Sequence, residues 1–413
     1  MAHTMTLVPG DLARQLRRAE RRKRAFAISL ALPLLVFLLA VFIVPIGALL
    51  VRAVENPEVV SVLGNTVKVL DTWDRKSAPP EAAFVAIAKD LSEVDELAHA
   101  GALARRLNSE ISGARSLIMT TYRAMPLEGG LTPPQVREHL LTIDERWAEP
   151  DYWQAIAKNG SRWTPDYLLA SVDLRRDIEG NIVKVDEGSA AFSTILIRTF
   201  EMSALVTVFA LLLGYPLAYW LSTLSARKAN MLMILVLVPF WTSVLVRSAS
   251  WIVLLQTNGL VNRSLMGLGI VDTPLPLLFN RLGVIIAMVH ILLPFMILPL
   301  YSVMKSVPST YLRAAVSLGS SPLAAFFRVY VPQTYPGIGA GGLLVFILSI
   351  GYYVTPALLG GADDQMLSYY IARYTNVNVN WGMACALGAV LLSATLVLYA
   401  LYRKVVKSEL SLG

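Results

Sequence analysis

Aromatic, hydroxyl and charged side chains interrupt two otherwise apolar stretches of this 413-residue chain, at 238–255 and 351–361. Their indole and phenol faces attract cations, their hydroxyl groups hydrogen-bond a solute, and one arginine supplies a fixed positive charge. Polar groups at membrane depth are functional-site candidates by default. The candidates for contact with a passing solute are Trp241, Thr242, Arg247, Trp251, Tyr352, Tyr353 and Thr355. Helix packing, or snorkelling of the longer side chains, is an equal alternative for them.

The chain carries none of the short motifs that cradle phosphate, bind catalytic zinc or activate a serine. G-x-x-x-x-G-K-[ST], H-E-x-x-H and G-x-S-x-G are all absent from the sequence. His290 stands alone in an apolar stretch, and the single cysteine, Cys385, permits neither an intrachain disulfide nor a cysteine-based zinc site. We therefore expect no enzyme, no metal site and no cofactor in this chain, which leaves a transporter subunit, a channel or a scaffold.

Charge is distributed unevenly along the chain. Charged residues make up 16% of it and hydrophobic residues 55%, whereas a soluble domain carries about 25% charged residues. Residues 55–193 hold 22 of the 29 acidic residues, and the rest contains six long charge-free stretches. Each stretch is long enough for one membrane-spanning helix, which needs about 20 apolar residues. We expect an all-α polytopic membrane protein with six transmembrane helices, near residues 26–51, 199–222, 230–255, 282–304, 337–359 and 381–402.

Basic residues in the short loops predict the orientation of these spans. Fifteen Lys and Arg residues lie on the face that holds both termini, and three lie in the short loops of the opposite face. Positively charged loops stay in the cytoplasm, so both termini are expected inside. The first apolar run is longer than the hydrophobic region of a signal peptide, which has at most ~15 residues, and this predicts an uncleaved anchor. Because the basic tail directly precedes a span, its expected neighbour is the lipid bilayer and not nucleic acid.

This topology divides the chain into five predicted parts. They are a basic cytoplasmic tail (1–25), a first transmembrane helix (26–54), a mainly helical extracytoplasmic insertion (55–193), a five-helix membrane core with a cytoplasmic loop at 305–335 (194–404), and a cytoplasmic tail (405–413). Aromatic residues of the insertion are expected to form its core, with a contact surface for an external partner as the alternative. They are Trp147, Tyr152, Trp153, Trp163 and Tyr167.

The loop between the fourth and fifth spans places apolar residues in water. Gly319 is expected to end one short helix in the left-handed conformation, and Pro322 to begin another. The apolar side chains of the second helix are Leu323, Phe326 and Phe327. Apolar residues exposed on a loop indicate docking of another protein. An amphipathic segment on the membrane surface is the alternative.

This loop resembles the signature of the integral-membrane subunits of binding-protein-dependent ABC importers, E-A-A-x3-G-x9-I-x-L-P. Here it reads Arg313-Ala314-Ala315, three residues, Gly319, nine residues and Val329-Tyr330-Val331-Pro332, so every spacing matches. Arginine stands where the family usually has glutamate, and valines replace the isoleucine and leucine. The resemblance implies the type I ABC importer permease fold and a coupling helix that docks on an ATPase. The coupling residues would be Arg313, Ala314, Ala315, Gly319, Ser320, Phe326 and Pro332.

The resemblance also implies a set of partners in a bacterial inner membrane. These are a cytoplasmic ABC ATPase dimer that binds the ATP, a second permease subunit, expected to be a paralogue, and an extracytoplasmic solute-binding protein. The two polar-interrupted stretches, 238–255 and 351–361, resemble the spermidine/putrescine branch, which implies a polyamine as the solute; another small organic solute or an anion is the alternative. A channel would need no docking loop, and a receptor would need a cytoplasmic output domain larger than either predicted tail.

Cysteine labelling tests the predicted orientation. In a Cys385→Ser background, Thr120→Cys should react with a membrane-impermeant maleimide in intact cells, because position 120 is expected outside. Ser320→Cys should react only after the membrane is permeabilised. Labelling of position 320 in intact cells would contradict the orientation.

Overall fold

The computed structural model describes residues 9–127, 130–177, 180–186, 188 and 190–410. The chain forms two compact units, divided after Arg52. The first unit contains α1 (Pro9–Leu38), a π-helical turn (Leu39–Ile43) and α2 (Val44–Arg52). Its segment Ile28–Arg52 is long and apolar enough to cross a membrane, and none of its apolar window is buried within the structure. This segment matches the first predicted span.

The second unit begins with short helices and a small sheet, which occupy the insertion. They are α3 (Pro57–Val62), α4 (Gly64–Leu70), α5 (Glu81–Ser92), α6 (Leu97–Asn108), α7 (Ala114–Arg123), α8 (Pro133–Ile143), α9 (Pro150–Lys158), α10 (Asp166–Ala170), β1 (Leu174–Arg176) and β2 (Ile182–Lys184). The two strands pair antiparallel, with Arg175 opposite Val183. The mainly helical character predicted for the insertion is confirmed.

An aromatic cluster forms the core of the insertion. Trp147 and Trp153 are completely buried, with their ring centroids 5.0 Å apart. Trp147 Nε1 donates to Thr121 Oγ1 at 2.9 Å, and Trp153 Nε1 donates to the Trp147 carbonyl at 2.9 Å. Tyr152 and Tyr167 are buried as well. Because both indole donors are satisfied, these large rings can be buried without the cost of an unpaired polar group.

Trp163 does not belong to this core, and the prediction that it does is wrong. Its side chain is 56% exposed. Its backbone pairs with Glu55 in an isolated bridge, and the Arg162 guanidinium lies 5.9 Å from the centre of its ring. The surface position of this backbone pairing leaves the indole in solvent, which the residue type alone does not reveal.

The remaining helices form the membrane core. They are α11 (Phe192–Thr223), α12 (Ala226–Leu237), α13 (Val244–Leu255), α14 (Leu260–Gly267), α15 (Arg281–Ser306), α16 (Ser309–Ser317), α17 (Pro322–Ala325), α18 (Val331–Gln333), α19 (Tyr335–Gly351), α20 (Val354–Leu359), α21 (Leu367–Asn376) and α22 (Trp381–Leu410). Five helical segments of the described chain are long and apolar enough to cross a membrane, and the bent pair 322–333 and 335–351 raises the number to six. Six is the number of spans that the charge-free stretches predict.

The third predicted span is not one helix. Residues 230–255 fold as the end of α12, a 3-10 turn at Val238–Trp241 and α13, and the segment long enough to cross a membrane is Val244–Gly267. Pro239 removes a backbone donor from this turn. The Ser243 hydroxyl then accepts the Leu245 amide hydrogen, which starts a new helix.

The fifth predicted span, 337–359, ends earlier than expected. The helix α19 stops at Gly351, and α20 begins after a break at Tyr352. Pro356 could not continue α19, because its ring would clash with the carbonyl of Tyr352. The hydroxyl of Ser368 donates to the carbonyls of Ile350 and Tyr352 at 3.2 and 2.9 Å, which satisfies the groups that the break leaves open.

Close approach of α15 and α19 depends on a missing side chain. A Cβ at Gly341 would lie 2.9 Å from Met296 Sδ and 3.1 Å from the Met296 carbonyl oxygen. Met296 is completely buried, as are Val206 of α11 and Val345 of α19. Small residues that let helix backbones approach are typical of packing between membrane helices.

A carboxylate of the insertion caps the first helix of the membrane core. Asp173 Oδ1 accepts the amides of Ala191 and Phe192 at 3.0 and 2.9 Å, and Oδ2 accepts both the amide and the hydroxyl of Ser193. Ala191, at the N-cap of α11, offers no side-chain acceptor of its own. Burial raises the pKa of Asp173, but these hydrogen bonds outweigh it and leave the pKa lowered. The carboxylate thus joins the insertion to α11.

Asp173→Asn should lower the thermal unfolding midpoint of the purified protein at pH 7, at a cost of about 1 kcal/mol. Because the folded-state pKa is lowered, the stabilisation is present above about pH 4 and is lost as the pH falls through the folded pKa. The difference from wild type should therefore shrink in acid. Asp186→Asn is the control, because that carboxylate is 79% exposed and 3.6 Å from Arg175. Equal midpoints for the Asp173 variant and wild type at pH 7 would contradict the cap.

Candidate coupling and translocation sites

The helix α16 ends in a backbone arrangement that favours glycine. The Gly319 amide donates to the Val316 carbonyl at 3.0 Å, and the Ser320 amide donates to the Ala315 carbonyl at 3.1 Å. This pair of hydrogen bonds is a Schellman motif. Gly319 has φ +94°, which costs a residue without a Cβ nothing. The left-handed stop predicted at Gly319 is confirmed. Pro332, the last residue of the sequence signature, lies in the first turn of α18.

Apolar side chains project into solvent around this turn. Leu318 is 89% exposed, Leu323 74% and Phe327 64%. Leu318 is not among the exposed apolar residues that the sequence predicts, since only the geometry of the turn reveals that it points outward. Arg313 and Ala314 are exposed on the preceding helix, where Arg313 donates to Ser309 Oγ at 3.1 Å. Exposed apolar groups of this kind are typical of surfaces that contact another protein or a membrane.

Phe326 faces the other way, so the exposure predicted for it is wrong. Its ring centroid lies 6.4 Å from that of Tyr215, 5.1 Å from that of Tyr219 and 5.6 Å from that of Tyr330. The Tyr215 hydroxyl lies 3.0 Å from Thr334 Oγ1. Phe326 is the first residue of a π-helical turn, Phe326–Tyr330, that follows α17 directly. These aromatic contacts attach the segment of α16, α17 and α18 to α11.

Four of the seven predicted pathway residues lie on the elements that surround the break after α19. Ser248 Oγ of α13 is 3.0 Å from Thr355 Oγ1 of α20. Trp251 Nε1 donates to His290 Nδ1 at 3.2 Å. Arg247 directly precedes Ser248 on α13, and Tyr352 lies in the break between α19 and α20. We call this group the polar cluster; its members are Arg247, Ser248, Trp251, His290, Tyr352 and Thr355.

Arg247 lacks a hydrogen-bond partner at its Nε, which is buried. Its guanidinium carbon lies 6.0 Å from the centre of the Phe240 ring. No ion pair joins Arg247 to an acidic residue in the part of the chain that the structure describes. Charged side chains at membrane depth usually face a partner or a water-filled cavity, so this one has bonding capacity for a group outside the chain.

The other three pathway candidates lie away from the polar cluster or at its edge. Trp241 is 79% exposed, and Thr242 Oγ1 donates to the Pro239 carbonyl of its own turn at 2.7 Å. Tyr353 is 43% exposed. His290, in contrast, was not a pathway candidate. The sequence separates it from Trp251 by 39 positions, so their hydrogen bond has no local signal.

A charged group connects the beginnings of α11 and α15. Arg281 Nη1 lies 3.2 Å from Glu201 Oε1, and Arg281 Nε lies 3.7 Å from Asp364 Oδ1. Glu201 and Arg281 are partly exposed. Among the residues described, His, Cys, Asp and Glu do not gather in any group of three or more that could hold a metal ion.

Comparison with known proteins identifies the class to which these sites belong. Residues 199–409 match the family described as "Binding-protein-dependent transport system inner membrane component". The match covers half of the chain and extends from the third turn of α11 to the end of α22. The chain belongs to this family, and it has the all-α permease fold with six transmembrane helices that the sequence predicts.

Within the family, the chain is similar to permeases named for polyamine transport. It is 37% identical to the spermidine/putrescine transport system permease protein PotB of Haemophilus influenzae, over 51% of this chain and 74% of that one. It is 38% identical to PotB of Escherichia coli strain K12, over 46% of this chain and 70% of that one. A solved bacterial alginate ABC transporter in complex with its periplasmic protein shares 18% identity, with a TM-score of 0.42, over 51% of this chain and 76% of that one.

The turn at Gly319 provides a test of coupling. Gly319→Val should abolish transport while leaving membrane insertion intact, because a β-branched residue in the left-handed region costs about 1–2 kcal/mol and would reshape the Schellman motif. Gly319→Asn is the matched control, since asparagine tolerates that region. The measurements are solute uptake and co-purification of the cognate ATPase subunit. Normal uptake by the valine variant would argue against a docking role.

Proposed function

We propose that this protein is one of two permease subunits of an ABC importer and supplies half of the pathway for a small solute. The solute would arrive on a solute-binding protein outside the membrane, and ATP would be hydrolysed by a separate cytoplasmic ATPase dimer. The protein itself would perform no bond-making chemistry. Both termini would lie in the cytoplasm, as the distribution of basic residues predicts.

Two features of one segment carry this proposal: the turn at Leu318 is exposed, and Phe326 beside it packs on α11. Leu318 and Phe327 present apolar surface to a partner, while Phe326 of the same segment packs on Tyr215 and Tyr219 of α11. A displacement of the turn by a closing ATPase would therefore push on a membrane helix through close-packed rings. Packed interiors pass on such displacements because they are nearly incompressible.

Movement of α11 would reach the polar cluster through α15. Met296 of α15 packs near Gly214 of α11, where a Cβ would lie 3.1 Å from Met296 Cγ. The same helix carries His290, which accepts the Trp251 indole hydrogen bond. Access to the pathway would alternate between the two sides, with nucleotide and loaded binding protein biasing the two states.

A polyamine is the solute that the relatives favour. Its ammonium groups must lose part of their hydration in the pathway, which is costly without compensating contacts. Aromatic faces of Trp241, Tyr352 and Tyr353 would each contribute about 0.5–2 kcal/mol by cation–π attraction. The carboxylates of Glu201 and Asp364, both within 4 Å of Arg281, would add negative charge near the outer ends of the helices.

An anionic solute is the second candidate, and Arg247 favours it. A guanidinium with a buried, unpartnered Nε is suited to a carboxylate or another oxyanion. If polyamines are carried, the same charge would repel them unless an acid from the second permease subunit neutralises it. The charge of Arg247 would therefore help to bind an anion and would weaken the binding of a polyamine.

Uptake assays distinguish the two candidates. Cells that express the complete importer and lack other polyamine uptake should accumulate labelled putrescine, and unlabelled spermidine should compete while anionic and neutral solutes should not. The matched variant is Arg247→Gln, which keeps hydrogen-bonding capacity but removes the charge. It should retain or increase polyamine uptake, because the repulsive charge is gone.

Competition by anions alone would reject the polyamine. In that case Arg247→Gln should raise the KM for the anion about tenfold or more, because a charge-assisted hydrogen bond contributes about 1.5–3 kcal/mol. Loss of all uptake in a strain without the ATPase subunit would be expected for either solute. Uptake that persists without it would overturn the importer itself.

A further inference from the structure

A groove runs along one face of α6 in the insertion. Between α6 and α7 it forms a cavity of about 820 Å³, and a second cavity of about 640 Å³ continues it to the residues that follow α21. Arg105, Asn108 and Arg115 line both cavities, and Arg123 lines the first. We call the two cavities together the arginine groove.

The arginine groove is positively charged in a region of the chain that is acidic overall. Residues 55–193 hold 22 acidic and 15 basic residues. Arg105, Arg115 and Arg123 make no ion pair with any acidic residue that the structure describes, whereas Arg146 and Arg176 of the same insertion pair with Asp144 and Asp166. One acidic residue, Glu58, lines the smaller cavity. The groove therefore keeps a surplus of positive charge facing water.

Apolar side chains stand at the ends of this charged surface. Leu97 is 61% exposed at one end, and Val377 and Val379 are 72% and 44% exposed at the other. Val379 has φ +51°, which is an outlier for a β-branched residue. Arginine surrounded by exposed apolar groups is a composition typical of protein interfaces.

The groove is fixed to the membrane core. Arg106, the buried neighbour of Arg105, donates from Nε to Asn56 Oδ1 at 2.8 Å and pairs with Glu110 at 2.9 Å, which holds α6 in place. Tyr167, which also lines the groove, lies against Gly382 of α22 so closely that a side chain there would clash. A molecule in the groove would thus contact the insertion together with residues 377–380, the segment that leads into α22.

We propose that the arginine groove docks an acidic surface of the solute-binding protein. The inference rests on the proposed function, in which that protein must approach this face of the permease. Charge complementarity would speed the encounter and set the orientation. A groove lined by both the insertion and the segment before α22 would align the bound protein with the membrane core, so that its solute is released above the pathway.

Size argues for a protein rather than a small anion. Each cavity alone is as large as a pocket for a drug-sized ligand, and the three unpaired arginines are distributed along both helices instead of converging on one point. Small anions are held by donors that converge. An acidic protein surface with several carboxylates matches a row of separated arginines.

The test is association of the cognate binding protein with the complete importer in nanodiscs. Arg105→Gln/Arg115→Gln/Arg123→Gln should slow association about tenfold at low salt and flatten its salt dependence, because steering charges act mainly on the association rate. The control is Arg75→Gln/Arg137→Gln/Arg175→Gln, which removes the same charge from elsewhere in the insertion. It should change the rate less than about twofold.

Thermal unfolding midpoints establish that both triple variants are folded. If the groove variant is not, Arg115→Gln and Arg123→Gln alone supply the comparison, since both positions are exposed on α7, and each should slow association about twofold. Association that is unchanged in folded groove variants would overturn the inference.

Two further outcomes distinguish the docking inference from small-anion binding and from a failure of the proposed function. If 1 mM phosphate or citrate raises the midpoint of wild type but not of the groove variant, while association is unaffected, the groove binds a small anion and the docking inference is wrong. If the wild-type importer neither binds the binding protein nor transports, the proposed function fails. If the binding protein associates equally well with wild type and with the groove variant, the docking inference is wrong but the proposed function stands.

Discussion

Backbone hydrogen bonding in an apolar medium constrains every part of the membrane core. Hydrocarbon offers no water to an open amide or carbonyl, so the apolar stretches must form helices, and a break in one needs a polar group to receive the freed atoms. Ser243 caps the restart of α13, Ser368 satisfies the carbonyls at the end of α19, and Asp173 caps α11 from the insertion. The polar residues of this core are therefore as much a consequence of its breaks as of its function.

In the function we propose, the same breaks would determine where a solute is recognised. Irregular backbone at membrane depth is tolerated only where protein covers it or where it lines a cavity. The break before α13 and the break at Tyr352 flank Arg247, Ser248 and Thr355, and the two hydroxyls lie 3.0 Å apart. A pathway built beside interrupted helices obtains polar groups without placing isolated charges in lipid.

In the function we propose, motion would pass between the two ends of the membrane core through side-chain contacts. The turn at Gly319 is held by backbone hydrogen bonds. In the segment that follows it, the rings of Phe326 and Tyr330 pack against Tyr219. On the side of the insertion, Asp173 and Tyr167 fasten a water-soluble helical region to α11 and α22. In the function we propose, these contacts are the places where the motion of a bound partner would reach the membrane helices.

The sequence by itself determined the number of spans, the helical insertion and the turn at Gly319, because each depends on local composition, on periodicity or on the backbone freedom of one residue. Only the tertiary structure decided which side chains meet. Trp251 and His290 lie 39 positions apart, Phe326 packs inward against Tyr215 and Tyr219, and Trp163 is exposed. Such contacts depend on how helices are rotated and joined, and a shift of one residue turns a helical side chain by about 100° without altering the local pattern that predicts the helix.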